Sequence, residues 1–123
     1  MTTAAKSAAQ AHQASVDSTA QDIAKQLQEA LGQKLVARML NLKNPQTVGE
    51  WAAGKQPRSG NEEGLRHIFQ VYNVLSTADS RHTIRAWFVG LNPMLNDNAP
   101  ARVISKGGFR DVLTAAKSYV QTG

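Results

Sequence analysis

The chain contains no cysteine, which excludes disulfides, thiolate zinc fingers and a cysteine nucleophile together. Long apolar runs are missing too. The longest, "AWFVGL", is six residues, against the roughly 18 that a membrane-spanning helix requires. The first 20 residues hold a single lysine, Lys6, and no apolar central segment, so they do not read as a secretory signal. The three histidines, His12, His67 and His82, are too scattered for the i, i+4 or His-x₃₋₅-His spacing of a metal site. No acid/base pair of carboxylates is recognisable, and Glu62 and Glu63 read as the acidic first turn of a helix. "KGG" at 106–108 lacks the long spacing and the following Ser or Thr of a phosphate loop. The expectation is a soluble cytoplasmic protein, not an enzyme, with no cofactor, no metal and no membrane partner.

Acidic residues are the next scarcity, 9 against 14 lysines and arginines for a net charge of +5. The excess is concentrated. Residues 33–58 carry Lys34, Arg38, Lys43, Lys55 and Arg58 against Glu50 alone, a distribution that favours a polyanion such as nucleic acid. At 123 residues the chain fits one domain, or one domain with a small appended module.

Residues 1–20 are nearly all Ala, Ser, Thr, Gln and Asp, with Val16 the only large apolar side chain after Met1. Such a segment buries too little surface to offset its ordering entropy, so a flexible arm is expected. Helical spacing begins at Asp22. Ile23, Leu27, Ala30 and Leu31 share a face, and Gly32 is a natural stop. A second helix runs through "QKLVARMLNL", with Leu35, Val36, Met39 and Leu40 inward and Lys34 and Arg38 outward. The short stretch "NPQTVGEWAAGK" is a third. A fourth, "EEGLRHIFQVYNVLS", aligns Leu65, Ile68, Phe69, Tyr72 and Leu75, with His67 beside that stripe. After "TADS" the spacing resumes at Ile84, Trp87, Phe88 and Leu91. The loop "NPMLNDNAP" and the segment "ARVIS" follow, then a last helix with Phe109, Val112, Leu113, Ala116 and Val120. The expected architecture is all-α, with a helical DNA-binding part over 21–78 and a smaller helical part over 79–123, packed together because each is small for a core of its own.

The second and third helices raise a specific possibility. A helix, a tight break at "KN" and a very short helix closed by Gly54 form the helix-turn-helix arrangement, whose second helix must be short, amphipathic and exposed enough to enter the major groove. Val48 and Trp51 anchor the short helix. Gln46, Thr47 and Glu50 then point outward, and Asn44 caps the start. Gln and Thr suit base reading, since an amide bonds adenine bidentately and a Thr methyl touches thymine. Glu50 either accepts from cytosine or pairs with Lys43 or Lys55.

These residues resemble a known family. "Gln33-Lys-Leu-Val-Ala37-Arg-Met-Leu40-Asn-Leu42", with Thr47, Val48, Trp51 and Gly54, is similar to the Xre-type repressor pattern. The segment "AWFVGLNPMLNDNAPARVISKGGFRDVLTAAKSYVQTG" looks like the C-terminal toxin-binding domain of the Xre/MbcA/ParS antitoxins, with Trp87, Asn92, Pro93, Leu95, Pro100, Gly107 and Gly123 in the places of that pattern. The resemblance covers residues 22–123. It implies an Xre-like helix-turn-helix bundle with a small helical C-terminal domain. The implied function is an antitoxin that neutralises a RES-domain, NAD-consuming toxin and represses its own operon as a homodimer or higher oligomer. It also points to Lys117, Tyr119, Gln121 and Gly123 as toxin-binding residues, because the family's C-terminal end enters the toxin's active-site cleft. The chain departs from the family in the polar "NDNA" of its loop and in its basic charge.

The residues expected to meet an operator duplex are Gln33, Lys43, Asn44, Gln46, Thr47, Glu50, Lys55 and Arg58, with Gln33 and the basic groups on phosphate and the others nearer bases. Two alternatives stay open. One is a phage or mobile-element repressor or directionality factor of the same fold without a toxin; the other is a protein-interaction module that does not meet DNA.

Overall fold

A computed structural model describes residues 8–122, with the side chains of 14–17 left aside. The fold is all-α, and among the described residues there is no strand. The helices are α1 (Ala8–Asp17), α2 (Ala20–Leu31), α3 (Gln33–Met39), α4 (Gln46–Ala52), α5 (Ser59–Leu75), α6 (Arg81–Val89), α7 (Pro100–Ser105) and α8 (Phe109–Thr122), with a 3₁₀ turn at Pro93–Leu95.

Residues 8–17, which composition assigns to a flexible arm, are therefore helical. Alanine carries the highest helix propensity, and Ala11 is fully buried as α1 packs along α5. A small side chain lets two helices approach closely, a form of burial that a search for large apolar residues overlooks. The Arg66 guanidinium of α5 also donates to the Ser18 carbonyl at 2.8 Å, tying down the end of α1. The first seven residues lie outside the described region.

α2 starts at Thr19, whose hydroxyl accepts from the Asp22 N–H at 3.1 Å, the bond that satisfies an orphan donor of the first turn. It buries Ile23, Ala24, Leu27 and Leu31 and stops at Gly32, where φ is +87°. α3 ends earlier than its apolar spacing predicts. Asn41 takes a left-handed conformation, φ +58°, and the Leu42 N–H reaches back to the Ala37 carbonyl at 2.9 Å, a left-handed helix stop that Asn tolerates. The turn is held from outside as well, since Asn41 Nδ2 donates to the Ser105 carbonyl of α7 at 2.9 Å.

The segments 21–78 and 79–123 share one core. α6 packs on α2, α7 on α3 and α8 on α5, so Ile84, Phe88, Leu95, Val112 and Ala116 join the same buried cluster as Ile23, Leu27, Leu65 and Ile68. Within α6, Ile84 and Phe88 face that core and Arg85 and Trp87 flank them. Leu91 is a correction. Its spacing places it inward with Ile84 and Phe88, yet it is 77% exposed, because α6 ends at Val89 and Gly90 turns the chain away.

Phe88→Ala should lower the unfolding free energy by about 3–5 kcal/mol, the range for emptying a buried aromatic site. Helical circular dichroism against urea should still show one transition. Two separate transitions would contradict a shared core.

Candidate nucleic-acid interface

The α3–α4 pair is built as a platform with one exposed edge. Val48 and Trp51 are buried, and Ala52 beside them, so α4 lies flat on α2 and α3. Gln21 Nε2 of α2 donates to the Ala52 carbonyl at 3.2 Å, holding the far end. At the near end Asn44 Oδ1 accepts from the Gln46 N–H at 2.9 Å, a bond that ties the turn to the start of α4, although the N-cap position itself is taken by Pro45 and not, as the sequence suggests, by Asn44. Gly54, at φ +119°, closes the helix, with the Lys55 N–H on the Glu50 carbonyl at 3.0 Å.

What stays outside is the polar set. Gln46 and Glu50 are exposed and Thr47 is half-buried. Glu50 pairs with Lys55 at 3.8 Å, both side chains more than half exposed, so of the two cations expected to compete for it Lys55 is the partner. Lys43 stands exposed in the turn before α4, and Arg58 stands exposed just before α5. Gln33 is half-buried, its Nε2 donating to Gln28 Oε1 at 3.0 Å. It lies across α4 where Gly49 leaves room, for a Cβ at Gly49 would sit 2.6 Å from that nitrogen.

Three of the expected residues, Gln33, Asn44 and Gln46, meet around a cleft of about 570 Å³ at the starts of α3 and α4. Lys34 and Arg85 complete its polar lining, which contains no carboxylate. Arg85 belongs to α6 and was invisible to a reading by sequence neighbourhood, being 39 residues beyond Gln46. Lys55 and Arg58 stand apart from the cleft, beyond the other end of α4.

The C-terminal residues divide between two places. Tyr119 lines a groove of about 330 Å³ with Trp87, Leu91, Pro93 and Met94. Its hydroxyl donates to Asp79 Oδ2 at 2.7 Å, and this bond, with some burial, holds the phenol above its usual 10.0. Lys117 and Gln121 line a different, smaller hollow beside Val74 and Thr77, as expected for positions two residues from Tyr119, about 200° around a helix. Gly123 lies outside the described residues. The groove's rim is apolar and open: Leu91 and Met94 are 77% and 55% exposed, and Val89 nearby 49%. Sequence spacing singles out neither Val89 nor Met94 and assigns Leu91 to the interior, though "AWFVGLNPML" holds more apolar side chains than a nine-residue helix can turn inward on one stripe.

His67 is a packing histidine on this geometry. Its ring stacks on Phe109 at 3.9 Å between centroids, 6° from parallel, joining α5 to α8 over an open cavity lined also by Glu62, Arg66 and Gln70. Among the described residues no cluster of His, Asp and Glu is arranged to hold a metal ion, and no helix is long and apolar enough to cross a membrane.

Burial pushes the His67 imidazole below its ordinary 6.5, and Glu63, 3.8 Å away, opposes this only in part. Between the folded and unfolded values the unfolded chain binds the extra proton, so the contribution of neutral His67 is complete above about pH 6.5 and is lost as pH falls through the lowered folded value. In urea titrations the wild type should therefore lose midpoint on going from about pH 7 to about pH 5 by more than His67→Phe, which keeps a stacking ring but cannot titrate. An equal loss in both would rule His67 out as the source. Comparison of the chain with family models, with curated proteins and with solved structures gives no match in any of the three, so a function for these surfaces has to be argued from their geometry and chemistry.

Proposed function

We propose that the chain is a DNA-binding repressor of the antitoxin type, working in the cytoplasm on an operator duplex. The observation that supports this best is α4 itself, anchored inward by Val48 and Trp51 and presenting Gln46, Thr47 and Glu50 outward beside a cationic cleft free of carboxylates. An exposed two-turn helix held on a rigid platform is what major-groove entry requires. Gln46 is the candidate reader of adenine and Thr47 of a thymine methyl. Gln33, Lys43, Lys55 and Arg58 are the candidate phosphate contacts on either side, with Asn44 and Glu50 nearer the bases. So short a helix touches few base pairs, and specificity then comes from two copies on half-sites roughly 34–36 Å apart.

The antitoxin half of the reading rests on the resemblance to the Xre/MbcA/ParS antitoxins, which implies a RES-type, NAD-consuming toxin as partner. The open apolar rim of Leu91 and Met94 over Trp87 supports a protein partner at that end. One observation favours the alternative of a phage or mobile-element regulator without a toxin. Among the described residues that the resemblance points to, Lys117, Tyr119 and Gln121, only Tyr119 faces the groove, and its hydroxyl is already engaged by Asp79.

Affinity for the duplex spanning the chain's own promoter, followed by fluorescence anisotropy, should fall steeply with salt. The double variant Gln46→Ala, Thr47→Ala should lose the preference for that duplex over an unrelated one while melting like the wild type. Affinity indifferent to salt, or a preference that survives the double variant, would sink the DNA assignment. For the partner, co-purification with the product of the neighbouring gene should succeed with the full chain and fail with Leu91→Asp or on removal of residues 117–123. If the wild type captures nothing and no RES-type reading frame adjoins the gene, the regulator reading replaces the antitoxin one.

A further inference from the structure

The cleft at the α3–α4 corner draws its second cation from a part of the chain outside the helix-turn-helix. α6 carries two arginines one turn apart. Arg81 is occupied, its Nη2 lying 4.0 Å from Glu29. Arg85, four residues on, enters none of the ion pairs among the described residues, and its side chain is exposed. Its guanidinium crosses the α2–α3 corner at Gly32, close enough that a Cβ there would lie 4.0 Å from Nη2. It thus borders the same cleft as Lys34, Asn44 and Gln46. Two cations and three side-chain amides, without a carboxylate, make a cavity matched to an oxyanion with several acceptor oxygens.

We propose that this cleft seats a phosphate of the DNA backbone and that Arg85, with Lys34 in the same lining, is the clamp that positions the duplex against α4. The assignment rests on the DNA-binding reading above and adds to it. The footprint extends beyond the helix-turn-helix to α6, and this contact fixes register without reading sequence. A guanidinium is the suitable group, since its planar fork bonds two phosphate oxygens at once, whereas Lys34 contributes a point charge.

The test compares wild type, Arg85→Gln, Arg85→Lys and, as a control of equal charge loss, Arg110→Gln, an exposed residue of α8 outside the cleft. Each is titrated with the promoter duplex and with an unrelated duplex of equal length over a range of salt. Arg85→Gln should weaken both duplexes by a similar factor, about tenfold for one charge-assisted contact. Its slope of log affinity against log salt should fall by about 0.9. Arg85→Lys should keep the slope and recover part of the affinity, and Arg110→Gln should keep both. Unchanged thermal unfolding of each variant confirms an intact fold.

If the wild type binds neither duplex, the DNA reading fails and the Arg85 assignment falls with it. Should the wild type bind while Arg85→Gln retains affinity and slope, the Arg85 assignment alone is overturned. A loss confined to the promoter duplex would make Arg85 a base reader and overturn its role as a backbone clamp. Inorganic phosphate, titrated alone against the backbone amide signals of residues 32–34 and 44–46, separates the remaining source. Saturation by free phosphate without a matching response to duplex would mark a small-anion site and overturn the proposal.

Discussion

The burial of α5 is the constraint on which the rest of the molecule depends. Its 17 residues span about 25 Å at the helical rise, and Leu65, Ile68, Phe69, Val71, Val74 and Leu75 are buried around it by α1, α2 and α8. Even its one buried polar side chain, Asn73, turns back to donate to the Phe69 carbonyl at 2.9 Å. α2 lies against this post and carries α4 and α6 on its other sides. The position of the exposed edge of α4 is thus inherited from apolar packing two layers away. Each large aliphatic or aromatic side chain buried there contributes roughly 1.5–3 kcal/mol, several times what any surface ion pair supplies.

That disparity assigns the charges their roles. Arg66 is engaged at 3.4 Å by Glu62 and at 2.8 Å by the Ser18 carbonyl, a fastening of α5 to the end of α1. The Glu50–Lys55 pair is of another kind, 3.8 Å long with both side chains more than half exposed. Such a pair is worth about 0–1 kcal/mol, small enough for an approaching duplex to separate. On the DNA-binding reading proposed above, Glu50 would then be available to a cytosine amine and Lys55 to a phosphate.

How much of this was legible in the sequence depended on the range of the interaction. Period-3.6 spacing located α2 to α6 and α8, and the anchors Val48 and Trp51, because an amphipathic stripe is written within a dozen neighbouring residues; the six residues of α7 are too few for such a stripe, and "ARVIS" reads only as an apolar segment. α1 escaped because its buried contact is an alanine, whose small area carries no hydrophobic signal. Leu91 was misplaced because periodicity does not register where a helix stops; Gly90, two residues after the last arginine-to-aromatic stretch of α6, redirects the chain. The end of α3 hinged on Asn41 and its bond to Ser105, 64 residues away. The cleft was hidden for the same reason: Gln33, Gln46 and Arg85 border it together only through tertiary packing, and nothing local to any of them signals the other two.

α6 has a consequence of a mechanical kind. With Ile84 and Phe88 against the core, Arg85 and Trp87 lie about 80° to either side of that buried stripe at 100° per residue. One flank borders the cleft and the other the apolar groove. A roll of the helix about its own axis therefore raises one flank as it lowers the other, whereas a slide along the axis carries both together. Two occupants gripping opposite flanks would work on this rod like hands on the two sides of a key. Ile84 and Phe88, wedged among their neighbours, set the stiffness against which it turns.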